Sequence, residues 1–136
     1  MSGEGSDFYR EVILDHARNR HNWGLLNPAD FDHEESNPLC GDHLHLTMRL
    51  DENRVIREVG WDGNGCAISQ ASASMLGDEL IGKTLEQARQ IKRDEVLGFV
   101  GLKLTPNRMK CALLSLKVLV VGAEGVKRWE QIEDEV

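Results

Sequence analysis

Cysteine carries the richest chemistry available to this chain, and its three copies, Cys40, Cys66 and Cys111, each stand where one element gives way to another. Cys40 lies in Asn37-Pro38-Leu39-Cys40-Gly41-Asp42, a proline and glycine loop that leads into a strand. Cys66 follows Gly63-Asn64-Gly65 and precedes a run of small residues that reads as a helix, and Cys111 falls in the second turn of a later, longer helix. Near a helix start, unpaired amides and aligned peptide dipoles stabilise negative charge, which favours the thiolate. Thiolates are soft ligands, and a tetrahedral zinc ion wants four of them or their equivalents. Asp42, two residues after Cys40 across the turn at Gly41, is the natural fourth donor.

Each of these residues also has a plainer reading. An isolated cysteine is often a small buried hydrophobe, and an odd, sparse set is a poor disulfide framework. Spacings this long carry less information than a paired Cys-x-x-Cys. One feature favours the metal: three thiolates and a carboxylate around a dication leave a net charge of about −2, which calls for cations nearby. Lys103, Arg108, Lys110 and Lys117 form the basic stretch of an otherwise acidic chain, and Arg108 and Lys110 flank Cys111. His43 and His45 compete as ligands from the strand face opposite Leu44 and Leu46. His16 and His21, at the end of the first helix, fit solvation or capping, and Asp62, before a glycine, fits a turn.

The elements that must position these groups can be read from periodicity. A helix is expected over 7–18, then loop or weak edge strand to Asn37. His43 to Leu50 alternates, with Leu44, Leu46, Met48 and Leu50 on one face, and Arg54 to Trp61 returns with Val55, Val59 and Trp61 sharing a face, so an antiparallel hairpin follows. A close-packing helix is expected from Cys66 to Ile81. Thr84-Leu85-Glu86-Gln87 is a capping box opening a helix to about Arg93. Thr105-Pro106 opens a helix through Val121 that stops at Gly122. Residues 1–6 are expected to be flexible and the acidic tail 124–136 solvated and partly frayed. No linker or repeat splits residues 1–136, so one domain is expected.

Composition narrows the function classes. With 16 Lys and Arg against 23 Asp and Glu the formal charge is −7, which argues against a nucleic-acid footprint, since that needs a basic face. No apolar run could span a bilayer, and the small, acidic start lacks the features of a secretory signal. A cytoplasmic protein is the expectation.

Three motifs taken together, Asn-Pro-Leu-Cys-Gly-Asp at 37–42, Gly-Asn-Gly-Cys-Ala-Ile-Ser at 63–69 and Arg-Met-Lys-Cys-Ala at 108–112, resemble those of the U-type iron-sulfur cluster assembly scaffolds, the family of IscU, SufU and the NifU N-terminal domain. Leu-Asp-His-Ala-Arg-Asn-Arg-His-Asn-Trp-Gly at 14–24 and Ala-Ser-Ala-Ser at 71–74 extend the likeness over roughly residues 8–121. The resemblance implies an α+β fold: a small antiparallel sheet of about three strands, packed on one side by helices, with a metal at one exposed end. It implies a ligand set of Cys40, Asp42, Cys66 and Cys111, holding a zinc ion or a nascent cluster of the 2Fe–2S type. It also implies a cysteine desulfurase as sulfur donor, with Cys111 as the acceptor, and apoproteins as recipients. Homo-oligomers are compatible with it.

Two departures place the chain between branches. Lys110 stands where the IscU branch has a histidine before its third cysteine, so that the third motif is SufU-like, yet the insertion usual in SufU before that motif is missing. Leu104-Thr105-Pro106-Asn107-Arg108 replaces the Leu-Pro-Pro-Val-Lys by which IscU proteins engage a dedicated chaperone. The resemblance therefore leaves a cluster scaffold as the leading expectation. A zinc-dependent sulfurtransferase that relays persulfide sulfur is the alternative. A purely structural zinc module, in which the ion contributes on the order of 10 kcal/mol of folding free energy, comes third.

Overall fold

Strict alternation over Asp42–Leu50 places Leu44, Leu46 and Met48 on one face, where all three are fully buried, and His43, His45 and Arg49 on the other. This segment, β2, is the centre of a three-stranded antiparallel sheet, with β1 (Phe31–Asn37) on one side and β3 (Ile56–Asn64) on the other. The computed structural model describes residues 2–38 and 41–134. Among these, six helices complete an α+β fold: α1 (Ser2–Arg18), α2 (Ala67–Leu80), α3 (Leu85–Ala88), α4 (Arg93–Val100), α5 (Pro106–Glu124) and α6 (Val126–Asp134). Helices α2 and α5 pack on each other and on the sheet. Leu44, Leu46, Met48 and Trp61 meet Leu76, Leu80, Leu114, Leu116 and Leu119 there in one core. A smaller cluster of Ile13, Ala71, Val100 and Ala112 ties α1, α2, α4 and α5 together. No helix of the described residues is long and apolar enough to cross a membrane.

Register decides what sits at the end of the sheet. Asn37 pairs with Asp42 across the β1–β2 turn, and His43 pairs with Asn64, the last residue of β3. The start of β2, the end of β3 and the first residue of α2 therefore share one edge of the molecule. The small residues of α2 serve close packing, as expected from composition. Ser72 Oγ donates to the Ala112 carbonyl at 2.6 Å and lies 3.1 Å from Ser115 Oγ, all within the α2–α5 contact.

Several local expectations need correction. Ile56, not Val55, points into the core, because the pairing shifts between Arg49 and Leu50 and Arg57 is taken up as an extra residue. The capping box at Thr84 forms, with Thr84 Oγ1 and the Gln87 side chain each accepting a backbone N–H, but the helix ends at Ala88. A separate helix, α4, starts at Arg93, with the Glu95 carboxylate accepting the Lys92 N–H at 3.3 Å. Gly122 does not stop α5. The helix runs on to Glu124, and a Cβ on Gly122 would lie 2.4 Å from the Phe31 ring, so the glycine lets β1 press against the helix. The tail expected to fray contains α6, which buries Trp129 and Ile132. The first helix begins at Ser2, inside the stretch expected to be flexible.

Candidate metal centre

Three separate elements deliver the candidate ligands. Asp42 opens β2, Cys66 is the N-cap residue of α2, and Cys111 lies one turn inside α5. One donor atom from each, a carboxylate oxygen and two sulfurs, falls within 4.8 Å of both others. Asp42 is 1% exposed and Cys111 2%, whereas Cys66 is partly exposed. Cys40, the remaining member of the expected set, lies outside the described residues.

The local sequence explains the arrangement. Helix α2 has no acidic residue in its first turn and no side-chain cap of its own. Asp42 supplies the negative charge from the neighbouring strand: the Cys66 N–H donates to Asp42 Oδ1 at 2.8 Å, and the Cys66 thiol donates to Oδ2 at 3.5 Å. A carboxylate at a helix amino end is stabilised by the peptide dipoles, which offsets part of the cost of burying its charge. Gly65 makes the approach possible. Its φ is +146°, and a Cβ there would stand 2.2 Å from Asp42 Oδ1. Gly63, at φ +144°, would likewise set a Cβ 2.1 Å from the His43 carbonyl oxygen. The Gly-x-Gly before Cys66 is thus a steric requirement of bringing strand and helix start together.

Two sulfurs and a carboxylate converging at a buried point form a donor set suited to zinc or to iron-sulfur chemistry. The residues present fit such a group, with Cys40 two positions before Asp42 in sequence as a further thiol. The histidines weighed as competitors point elsewhere. His45 Nε2 lies 2.5 Å from Asp32 Oδ1 and its Nδ1 3.2 Å from Glu34 Oε2, while His43 Nδ1 lies 2.7 Å from Ser36 Oγ. Both belong to the outer face of the sheet. Asp62 is exposed, paired in register with His45.

The basic stretch has a structural counterpart that the sequence did not reveal. Lys110 and Lys117 line a cavity of about 410 Å³ together with Arg93, Pro38, Met109, Leu113, Trp129 and Ile132. Its far wall is α6, so a reading that left the tail frayed had no means of finding it. His16, His21 and Asp78 also gather on α1, the turn after it and α2. Their separation in sequence gave no local signal.

Residues 8–134 match the family described as the NifU-like N terminal domain. The chain is 35% identical to the zinc-dependent sulfurtransferase SufU of Bacillus subtilis, over 84% of this chain and 88% of that one. It is 32% identical to the iron-sulfur cluster assembly scaffold protein IscU of Streptococcus pyogenes, over 88% and 83%. Among solved structures, the SUF-system protein FiSufU of Fervidobacterium islandicum superposes with a TM-score of 0.73 at 30% identity, covering 84% of this chain and 95% of that one.

Proposed function

This chain belongs to the NifU-like N-terminal domain family, and on that premise we propose that it is an iron-sulfur cluster assembly scaffold. Iron and sulfide are its cargo, built up on Cys40, Asp42, Cys66 and Cys111 and then passed to recipient apoproteins. The observation that carries the reading is the convergence of Asp42, Cys66 and Cys111 within 4.8 Å from three distant segments. Sulfur comes from a cysteine desulfurase. The Cys111 thiolate attacks the terminal sulfur of the enzyme's cysteine persulfide; a new S–S bond forms at Cys111 as the donor's S–S bond breaks, the electron pair leaves with the desulfurase thiolate, and two electrons from an external thiol or other electron donor then reduce the transferred sulfur to sulfide. Because Cys111 is 2% exposed, its neighbours must move for this step, whereas Cys66 already has surface.

A second reading, zinc-dependent sulfur relay, is favoured by Lys110, which supplies no nitrogen ligand where the IscU branch has histidine, and by the identity to SufU. Zinc, when bound, supplies positive charge that keeps the cysteine sulfurs deprotonated. Anaerobic incubation with an iron(II) salt, cysteine and a desulfurase separates the two. A scaffold acquires a visible chromophore that moves to apo-ferredoxin; a relay keeps its zinc and raises desulfurase turnover instead. Cys40→Ala, Cys66→Ala and Cys111→Ala should each lose the metal while His45→Ala keeps it. Retention by any of the cysteine variants would overturn the ligand assignment.

A further inference from the structure

We propose that His16, His21 and Asp78 form a second metal site, which takes a divalent transition-metal ion such as zinc on two imidazoles and one carboxylate. The site is built from the last turn of α1, the turn that follows it and the last turn of α2. It is independent of the cysteine-bearing centre. Cys66 and Asp78 lie at opposite ends of α2, about 18 Å apart along its axis at 1.5 Å per residue, so no ion is shared.

The side chains are already gathered. One donor atom of each residue lies within 4.8 Å of the other two, and the two imidazole rings stand 4.6 Å apart at 51°. His21 Nδ1 is 2.7 Å from Asp78 Oδ2. The other carboxylate oxygen, Oδ1, accepts from Asn22 Nδ2 at 3.0 Å, which fixes the carboxylate plane. Ser74 anchors the pair: its Oγ accepts the His21 backbone N–H at 2.8 Å, holding the chain there, and lies 2.8 Å from His16 Nδ1. In the tautomer that donates Nδ1–H to Ser74 Oγ, His16 keeps its lone pair on Nε2 for a metal. Hydrogen bonds of this kind set the tautomer and direction of ligating imidazoles.

Charge also suits a cation. The nearest guanidinium in sequence, that of Arg20, is drawn aside onto the Trp23 ring, 4.4 Å from its centroid, and onto Gln70 Oε1. A tetrahedral zinc site sets its donors about 3.3 Å apart, so closing the cluster needs only small rotations. His21 and Asp78, each 47% exposed, are able to make them. Two imidazoles and a carboxylate with the remaining positions open to water select zinc, copper, nickel or iron(II) over calcium or magnesium.

The test uses the full chain, stripped of metal and dialysed against zinc at controlled free concentration. Ions per chain are counted, and the imidazole nitrogens are followed by long-range ¹H–¹⁵N correlation. The expected result is one more ion in the wild-type protein than in His21→Gln or Asp78→Asn, at least tenfold weaker binding of that ion in each variant, and movement of the His16 and His21 ring nitrogens on zinc addition. Equal stoichiometry in wild type and variants, or rings unmoved by excess zinc, would overturn the proposal. Both substitutions sit at half-exposed positions, and the ring signals are read on the unmutated protein, so a folding defect in a variant cannot decide the outcome. Loss of metal from the cysteine variants leaves the ring signals in place, which separates failure here from failure of the scaffold reading.

Discussion

Asp42 accepts the N-cap N–H of helix α2 in this structure and, on the proposed function, is also a metal donor; substitution separates the two roles. In the metal-free protein its Oδ1 receives the Cys66 N–H at 2.8 Å, at the amino end of α2. A hydrogen bond to a charged acceptor contributes about 1.5–3 kcal/mol, and the favourable helix-end position a further 0.3–1 kcal/mol or so. Relief from burying a charge at 1% exposure works in the opposite direction, so the net cost of Asp42→Ala should be about 2 kcal/mol. With a urea m-value of roughly 1.5 kcal/mol/M for a chain of this size, the unfolding midpoint falls by about 1 M. Asp42→Asn retains an oxygen at the same place for the Cys66 N–H and should lose less than half as much. It nevertheless removes the carboxylate charge from the donor set, so zinc affinity, measured by competition with a chromophoric chelator, should fall at least tenfold in both variants. Urea titrations in the presence of chelator read the first effect and the competition reads the second. The reasoning is refuted if Asp42→Ala leaves the metal-free midpoint in place, or if Asp42→Asn destabilises the metal-free protein as much as alanine does.

Other substitutions test how the supporting elements are held. Gly122→Ala puts a methyl against Phe31 and His33 and should cost about 1–3 kcal/mol by overpacking; Gly98→Ala, in helix α4 with open space around it, should instead stabilise by about 0.5–1 kcal/mol, and thermal melts of the pair would distinguish steric contact from helix propensity. Trp129→Ala should destabilise by about 3 kcal/mol if α6 is docked as described, whereas a frayed tail would tolerate it. Asp51 Oδ1 accepts the N–H groups of Val55 and Asn53, and these bonds, Val55's foremost, with help from Arg57, hold its pKa below the ordinary aspartate value. Its contribution is therefore present above the unfolded-state pKa of about 3.9 and lost as pH falls through the lower folded value; Asp51→Asn should flatten that part of the acid limb of a stability-against-pH curve.

Much of the architecture was legible because its signals are local. The alternation at Leu44, Leu46 and Met48, the Thr105-Pro106 start and the Thr84 capping box each rest on contacts within a few residues, and each forms. The family could be read from three short motifs for the same reason: glycines and cysteines at fixed offsets mark backbone that must approach closely. What was misread involved partners far away in the chain. Gly122 looks like a helix stop until Phe31 is seen pressed against it. The acidic tail looks soluble until Trp129 and Ile132 are seen buried.

By itself, then, the sequence determined which residues had the chemistry for a metal, which helices and strands would carry them, and which family they belong to. Only the tertiary structure decided that Asp42, Cys66 and Cys111 meet, that His43 and His45 turn away, and that His16, His21 and Asp78 gather at the other end of α2. The reason is physical. Propensity and periodicity act over one or two turns of chain, whereas the distance between side chains on different elements is set by how those elements pack, and no local pattern encodes it.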